Sequence, residues 1–435
     1  LNLAPGQAPN AAQALDLRTW LANGMEQPIP TFIAAANDSI AGAIYHLSDT
    51  LWIVPALQAA MGGTDIGLVY DANVKKQNGV ALPNESQDAI DALGNVTFHP
   101  RDKTNIMHNK FLVRGQNLLS GNGHVAEALT CGSANYTTGG LTSQANLVHT
   151  FESPALAELY RERFELIQND PAKATVTPKA LWSNTVSVGD AGVRTFFSPE
   201  KGKRGDPSVS METIVQAVHG ATSSVIFCLF TPTDAALRDA CFSVGDAGKM
   251  MFGLVNNVVN NEPAVAPNAA GNIPADQLAN LELFHRSRNA RDVIGAEFFS
   301  SANVPNGFDR EVNVFPGTQA PPYPPVLVHH KFIVIDAETE SPIIYTGSAN
   351  MSANSVFGND ENLLEIKGSP RLAQIYLAEF LRLYEHYRAR ARFILWKQSG
   401  QAPANAGFAL AGNRDWANRH YTAGTPEFKA RVRML

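Results

Sequence analysis

The sequence predicts an α/β protein of two homologous α/β sandwich lobes, and three observations carry that reading. The chain has 435 residues, too many for one ordinary core and suited to two. Short apolar, β-branched runs alternate with helix-like segments, as layered α/β folds require. The order of features repeats. Gly132-Ser133-Ala134-Asn135 returns as Gly347-Ser348-Ala349-Asn350, and Ser153-Pro154-Ala155-Leu156-Ala157 through Tyr160 returns as Ser369-Pro370-Arg371-Leu372-Ala373 through Tyr376. Repeats are sought first because missing one misassigns the whole fold.

In the first lobe, 1–170, the strand-like runs are Leu51 to Leu57, Ile66 to Tyr70 and Lys110 to Val113, with a helix over Ala155 to Ile167. In the second, 192–435, they are Val225 to Phe230, Met250 to Val255 and Lys331 to Ile335, with a helix over Leu372 to Arg392. Each Ser-Pro reads as a helix N-cap followed by Pro at the first helical position. Residues 171–191 form the linker. Phe98-His99 pairs with Phe284-His285, which leaves the second lobe with an inserted loop over about 286–323. The loop holds Arg286, Arg288, Arg291 and Arg310 and a Pro-rich stretch to Pro325, and such loops act as lids or binding loops.

Composition excludes several classes. With 45% hydrophobic and 17% charged residues the chain folds rather than remaining disordered. A net charge of -6 rules out a uniformly basic, nucleic-acid-coating surface, so any phosphate site is focused. Three cysteines, Cys131, Cys228 and Cys241, make no disulfide framework and show no zinc-ligand spacing. No metal or cofactor is expected. No apolar run spans a membrane. The opening at Leu1, without a basic stretch followed by an apolar one, fits a trimmed chain as well as a processed one, and a secreted or periplasmic protein is favoured.

The chemistry lies in the repeated polar residues. His108-Asn109-Lys110-Phe111 and His329-His330-Lys331-Phe332 each set an imidazole and an ammonium two apart, on one face of a strand. A cation beside a histidine suits an anionic substrate. Gly-Ser-x-Asn adds a tight turn, a hydroxyl and an amide suited to phosphate oxygens. One His-x-Lys is a weak signal among 11 histidines; two in register, each followed by Gly-Ser-Ala-Asn, are not. The other histidines read as structural or surface residues, with His99 and His285 as further cleft residues.

These motifs resemble the phospholipase D superfamily pattern of His-x-Lys, four residues, Asp, then Gly-Ser-x-Asn. The second lobe matches through His329, Lys331, Asp336, Gly347, Ser348 and Asn350, with Glu361 beyond. The first keeps His108, Lys110, Gly132, Ser133 and Asn135 but has Gly115 in place of the Asp and Gln144 in place of the Glu. The resemblance implies lobes related by a pseudo-two-fold, a metal-independent site shared at their interface, and a phosphohistidine intermediate. His108 and His329 would be catalytic with Lys110 and Lys331, and Asn135, Asn350, Ser133 and Ser348 would bind substrate. Asp336, Glu361 and Gln144 would orient them, Glu361 beside His329 and Gln144 beside His108, making His329 the general acid and His108 the nucleophile. The expected substrate is a phospholipid or another phosphodiester, the Pro-rich loop touching a lipid surface. A nuclease following DNA or RNA with Arg286, Arg288, Arg291 and Arg310 is the alternative, and a catalytically weakened binding protein the third reading.

Overall fold

The computed structural model describes residues 10–259, 261–296, 327–400 and 415–434. In chain order the strands are β1 (Ser39–Ile44), β2 (Asp65–Asp71), β3 (Lys76–Gln77), β4 (Val80–Ala81), β5 (Thr97–Arg101), β6 (Lys110–Gln116), β7 (Val125–Gly132), β8 (Gln144–Ala145) and β9 (Val148–Phe151) in the first lobe. The second lobe supplies β10 (Val186–Val188), β11 (Ala191–Ser198), β12 (Ser224–Leu229), β13 (Met250–Val255), β14 (Val293–Gly295), β15 (Leu327–Val328), β16 (Lys331–Ile335), β17 (Ile343–Gly347) and β18 (Glu361–Lys367).

The first sheet runs β5-β2-β1-β6-β7-β9, and the second runs β10-β11-β18-β17-β16-β12-β13-β14. Both join a parallel part to an antiparallel part at one central strand. In the first, β1 pairs parallel to β2 and antiparallel to β6; in the second, β12 pairs parallel to β13 and antiparallel to β16. The repeat in the sequence is thus a repeat of topology, and the fold is two α/β sandwich lobes.

Helices Pro154–Ile167 and Pro370–Gln398 begin at the repeated Ser-Pro pairs; Ser153 caps the first by accepting from Leu156 N–H. Their buried faces contribute Tyr160 and Phe164, and Tyr376 and Phe380, to one apolar core that also contains Phe111 of β6 and Phe332 of β16. The two lobes therefore share a core, and each has a second one on its outer face, built around Leu57 and Leu68 in the first and Ile214 and Leu237 in the second. Burial of aliphatic and aromatic side chains on this scale is the main stabilising contribution.

Four expectations need correction. The run Leu51 to Leu57 is not a strand: Ile53–Ala60 is helical and buries Ile53, Val54 and Leu57 on one side. The strand missed in its place is β1, whose small residues reflect close packing. A Cβ on Gly42 would lie 2.5 Å from Leu112 Cδ2 and 2.7 Å from the Phe111 carbonyl oxygen. The linker 171–191 extends too far, because β10 pairs with β11 at the edge of the second sheet. Phe284-His285 is not the counterpart of Phe98-His99, since it lies in the helix Ala275–Asn289, whereas the strand equivalent to β5 is β14. The stretch expected as the start of the inserted loop is therefore the end of this helix and β14, while residues 297–323 of that expectation, with Arg310 and the Pro-rich part, lie outside the described residues.

Candidate active site

Both His-x-Lys motifs sit at the entry of equivalent strands, β6 and β16, beside the central strands β1 and β12. Lys110 and Lys331 turn back on their own motifs: Lys110 Nζ donates to the His108 carbonyl at 2.7 Å and Lys331 Nζ to the His329 carbonyl at 2.8 Å. Lys331 Nζ is also 3.2 Å from each ring nitrogen of His329. Tyr45, just after β1, sets its ring 4.8 Å from that of His108, and Phe230, just after β12, sets its ring 5.0 Å from that of His329. Lys110 and Lys331 lie over the same two rings. Sequence reading missed this aromatic pair; its signal was the matching position directly after each central strand.

Two short cross-lobe pairings bring the motifs together. Before His108, Asn105 N–H donates to the Gly358 carbonyl, Asp360 N–H to that of Ile106, and His108 N–H to that of Asp360. Before His329, β15 pairs with β8, and His329 N–H donates to the Ala145 carbonyl. Each histidine is thereby delivered to the residue that follows the partner segment in the other lobe. His108 Nδ1 meets Glu361 Oε2 at 2.7 Å, and His329 Nδ1 meets Asn146 Oδ1 at 2.8 Å.

This overturns the expected pairing of Glu361 with His329 and of Gln144 with His108. The equivalent of Glu361 is Asn146, not Gln144. Ser133 Oγ donates to Asn146 Oδ1 and Ser348 Oγ to Glu361 Oε2, both at 2.8 Å and both across 13 residues. That constant spacing was available in the sequence. Gln144 lies in β8, its side-chain oxygen 3.4 Å from Asn146 Nδ2. Asn146 Nδ2 donates to the Gly140 carbonyl at 2.8 Å, which turns its oxygen toward His329. With an acceptor oxygen at each Nδ1, the tautomer that satisfies both rings carries its proton on Nδ1 and leaves the Nε2 lone pair available.

Ser133 and Ser348, expected to bind substrate, have their hydroxyls engaged within the protein. Both are buried, their hydroxyl protons go to Asn146 and Glu361, and they accept from Leu147 N–H and Asn362 N–H. They position the histidine partners instead. Asn135 Oδ1 and Asn350 Oδ1 are buried and unpaired, so these two amides keep polar capacity at equivalent positions in the two lobes.

Asp336 leaves the site as well. At the far end of β16, roughly 17 Å from Lys331 at about 3.3 Å per residue, its carboxylate accepts from Thr222, Ser223 and Ser224 N–H and from the Thr222 and Ser223 hydroxyls. It pins the start of β12. In the first lobe the carboxylate has moved to the other strand: Asp38 accepts from Asn117 N–H. Gly115 cannot carry a side chain, since a Cβ there would lie 2.1 Å from the Val125 carbonyl oxygen.

Behind Glu361, Asp360 is fully buried and accepts from Arg101 Nε at 2.9 Å, Arg163 Nη2 at 2.6 Å and Thr104 Oγ1 at 2.6 Å. Arg101 also donates to Asp170 and to the Pro171 carbonyl. First-lobe cations thus clamp the second-lobe segment that carries Glu361.

The electrostatics are unbalanced. Burial pushes His108 down to about 4 against the raising effect of Glu361. Burial, then Lys331 and Lys110, holds His329 well below its usual range. Burial lowers Lys110 to about 7 and Lys331 well below the ordinary ammonium range. Burial raises Glu361, but His108 and Lys110 more than offset this and leave it below its usual value. Two imidazoles and two lysine amines surround Glu361, Asp71 also reaches Lys110, and each histidine feels the lysine of the other lobe.

Among the remaining expected site residues, His99 packs on Phe164, and His285 is paired with Glu262. Arg286 is held by Asp292 and Asp246, and Arg291 by Glu427. Among the described residues no helix is long and apolar enough to cross a membrane.

The two α/β lobes each bring a histidine and a lysine to one shared cluster, the two-motif arrangement that the repeat in the sequence anticipated. The model of the family described as cardiolipin synthase, PLD-like domain, matches residues 29–167 and 299–384, more than half of the chain, and the protein belongs to this phospholipase D-like family, whose superfamily comprises phosphodiesterases and phospholipid-modifying enzymes. Among solved structures, phosphatidylserine synthase from Haemophilus influenzae Rd KW20 is similar at 12% identity and TM-score 0.49, over 88% of this chain and 88% of its own. Yeast tyrosyl-DNA phosphodiesterase is similar at 10% identity and TM-score 0.40, over 77% and 83%. The phospholipase D family member Nuc from Salmonella typhimurium is similar at 16% identity and TM-score 0.28, over 45% and 95%. No curated protein sequence matches the chain.

Proposed function

We propose that this protein is a phosphodiesterase that cleaves phospholipids through a phosphohistidine on His108, with His329 as general acid and then general base. The observation that carries the reading is the charge imbalance of the site: Lys110, Lys331, His108 and His329 are desolvated together, with Glu361 as their main carboxylate and Asp71 reaching Lys110, and one phosphate anion offsets the cost of burying them.

His108 holds its Nδ1 proton on Glu361 and attacks phosphorus with the Nε2 lone pair. The P–O bond to the leaving alcohol breaks, and His329, which takes up a proton on Nε2 from solvent as the phosphate anion binds and offsets the neighbouring lysines, delivers that proton to the leaving oxygen. Lys110, Lys331, Asn135 and Asn350 hold the non-bridging oxygens. His329, now neutral, takes a proton from water, whose oxygen attacks phosphorus, and the P–N bond breaks to return His108.

The position of Glu361 beside His108 changes the reason for the roles and keeps the roles themselves. A fixed carboxylate accelerates a step only when it stabilises the transition state more than the ground state. The attacking ring gains positive charge as the P–N bond forms, whereas the acid loses it. Glu361 beside His108 therefore assists attack, and the neutral Asn146 with nearby Lys331 lets His329 release its proton. Of the four arginines that motivated the nuclease alternative, Arg286 and Arg291 are committed to carboxylates, which favours the phospholipid reading. The retained imbalance of charge likewise disfavours the binding-protein reading.

A panel of phosphatidylcholine, cardiolipin, single- and double-stranded DNA and bis(p-nitrophenyl) phosphate, each with and without EDTA, tests this. Turnover of phospholipid that is indifferent to EDTA is expected. Turnover of DNA alone, or loss of activity in EDTA, overturns the reading.

A further inference from the structure

The first lobe carries a feature that the catalytic cleft does not use. Strands β3 and β4 form an isolated two-stranded hairpin outside both sheets. Its tip is Asn78-Gly79, with φ of 52° and 81°, the left-handed pair that a tight two-residue hairpin turn needs. Such a ribbon has little intrinsic stability, yet it leaves aliphatic side chains in water: Val74 is 66%, Val80 67% and Leu82 41% exposed. Val80 and Leu82 are two apart and share a face.

The root of the hairpin borders the cleft. Leu82 N–H donates to the Lys75 carbonyl at 2.8 Å. Lys75 Nζ donates to Glu85 at 2.7 Å, lies 3.3 Å from His46 Nε2, and sits 5.5 Å from the centre of the Tyr45 ring, which in turn packs on His108. From Ala72 to Asn84 the segment contains Lys75 and Lys76 and no acidic residue, in a chain of net charge -6. The corresponding loop of the second lobe, which follows β13, contains Glu262 and no lysine.

From this juxtaposition of exposed aliphatics, the exposed Lys76 and a root that reaches His108 through Lys75 and Tyr45, we propose that the hairpin 72–84 docks on an anionic phospholipid surface and presents lipid phosphates to His108. Aliphatic side chains enter the acyl boundary while Lys76, on the exposed strand β3, meets headgroup phosphates, and Lys75 stays with Glu85 at the root, the division of labour that interfacial segments use. The proposal rests on the phospholipid reading above and adds the surface through which the substrate arrives.

The test uses the full chain and a Val74→Ser, Val80→Ser, Leu82→Ser variant. Binding is read by co-sedimentation with vesicles of equal parts phosphatidylglycerol and phosphatidylcholine. Activity is read on those vesicles and on dihexanoyl-phosphatidylcholine below its micelle concentration. The variant should bind vesicles about tenfold more weakly and lose vesicle activity in proportion, with activity on the monomeric lipid and thermal midpoint unchanged. Lys76→Glu should weaken binding to these vesicles and not to pure phosphatidylcholine. Equal vesicle binding by variant and wild type, or no vesicle binding by wild type, overturns the hairpin proposal. A parallel loss on the monomeric lipid also overturns it and assigns the hairpin to the cleft. Absence of wild-type turnover on the monomeric lipid refutes the phospholipid reading itself, whatever the vesicles show.

Discussion

Replacing Glu361 by Gln removes one charge while keeping nearly every contact. The carboxylate accepts from His108 Nδ1 and Ser348 Oγ on Oε2, and from Asn359 Nδ2 on Oε1. A Gln oxygen can take over the first two bonds. Its new amide nitrogen then faces Asn359, whose Oδ1 is buried and unpaired, so a flip of the Asn359 amide satisfies it. What is lost is the Coulomb attraction between a carboxylate and an imidazole ring that becomes cationic on attack. At about 4 Å and an effective dielectric of about 20 this is about 4 kcal/mol, and measured losses of single electrostatic stabilisers run at roughly 100- to 1000-fold in kcat. Glu361→Gln should therefore lower kcat on bis(p-nitrophenyl) phosphate at pH 7 by about that factor, with little change in KM. His108 already lies near 4, so it is neutral at pH 7 in both proteins and the loss does not arise from protonation. Glu361 raises the His108 value, so its removal moves the acid limb of the pH–rate profile to lower pH. A loss under about threefold, or one recovered on raising the pH, would refute this account of Glu361.

The other predictions concern positions where the two lobes differ. Asn146→Asp gives His329 a carboxylate partner and raises its proton affinity; because a general acid works only while protonated, the descending limb of kcat/KM should move to higher pH by about one unit or more, and an unmoved limb would take His329 out of that role. Asp336→Asn should lower the thermal midpoint by several degrees, consistent with the loss of about 2 kcal/mol of charge-assisted bonding, and leave kcat intact; a fall in kcat without a change in stability would return Asp336 to the site. The Asp336 carboxylate lies below its usual value through its backbone donors, which outweigh burial, so its contribution is full above the unfolded value near 4 and fades as pH falls through the folded value. Gly115→Asp, which restores the family pattern, should destabilise the first lobe by about 1–3 kcal/mol, because the Val125 carbonyl occupies the space; a neutral or stabilising effect in denaturant titration would contradict the packing.

The sequence made the repeat legible because His-x-Lys and Gly-Ser-x-Asn are local: their residues sit on single strands or turns and keep their spacing. The histidine partners are not local. They depend on Met107 lying beside Asp360 and on β15 lying beside β8, pairings between segments far apart in the chain that no periodicity reveals. Asn146 was within reach through its 13-residue distance from Ser133. Gln144 was a choice of the wrong polar neighbour. β1 escaped because Ser-Ile-Ala-Gly-Ala-Ile has few β-branched residues, and its small residues are dictated by the closeness of Leu112 and Leu68. The Phe-His pair misled because the same dipeptide falls on β5 in one lobe and on a helix in the other.

The central claim is that one cleft, shared by both lobes, passes the phosphoryl group through His108 while His329 moves the proton. The most direct measurement is a rapid quench, without acid, of the enzyme turning over a slowly hydrolysed phosphodiester, followed by peptide mass spectrometry. The account predicts a phosphoryl adduct on the peptide that contains His108, its accumulation increased in the His329→Ala variant with an activated leaving group. An adduct on His329, or none on either histidine while turnover proceeds, would contradict it.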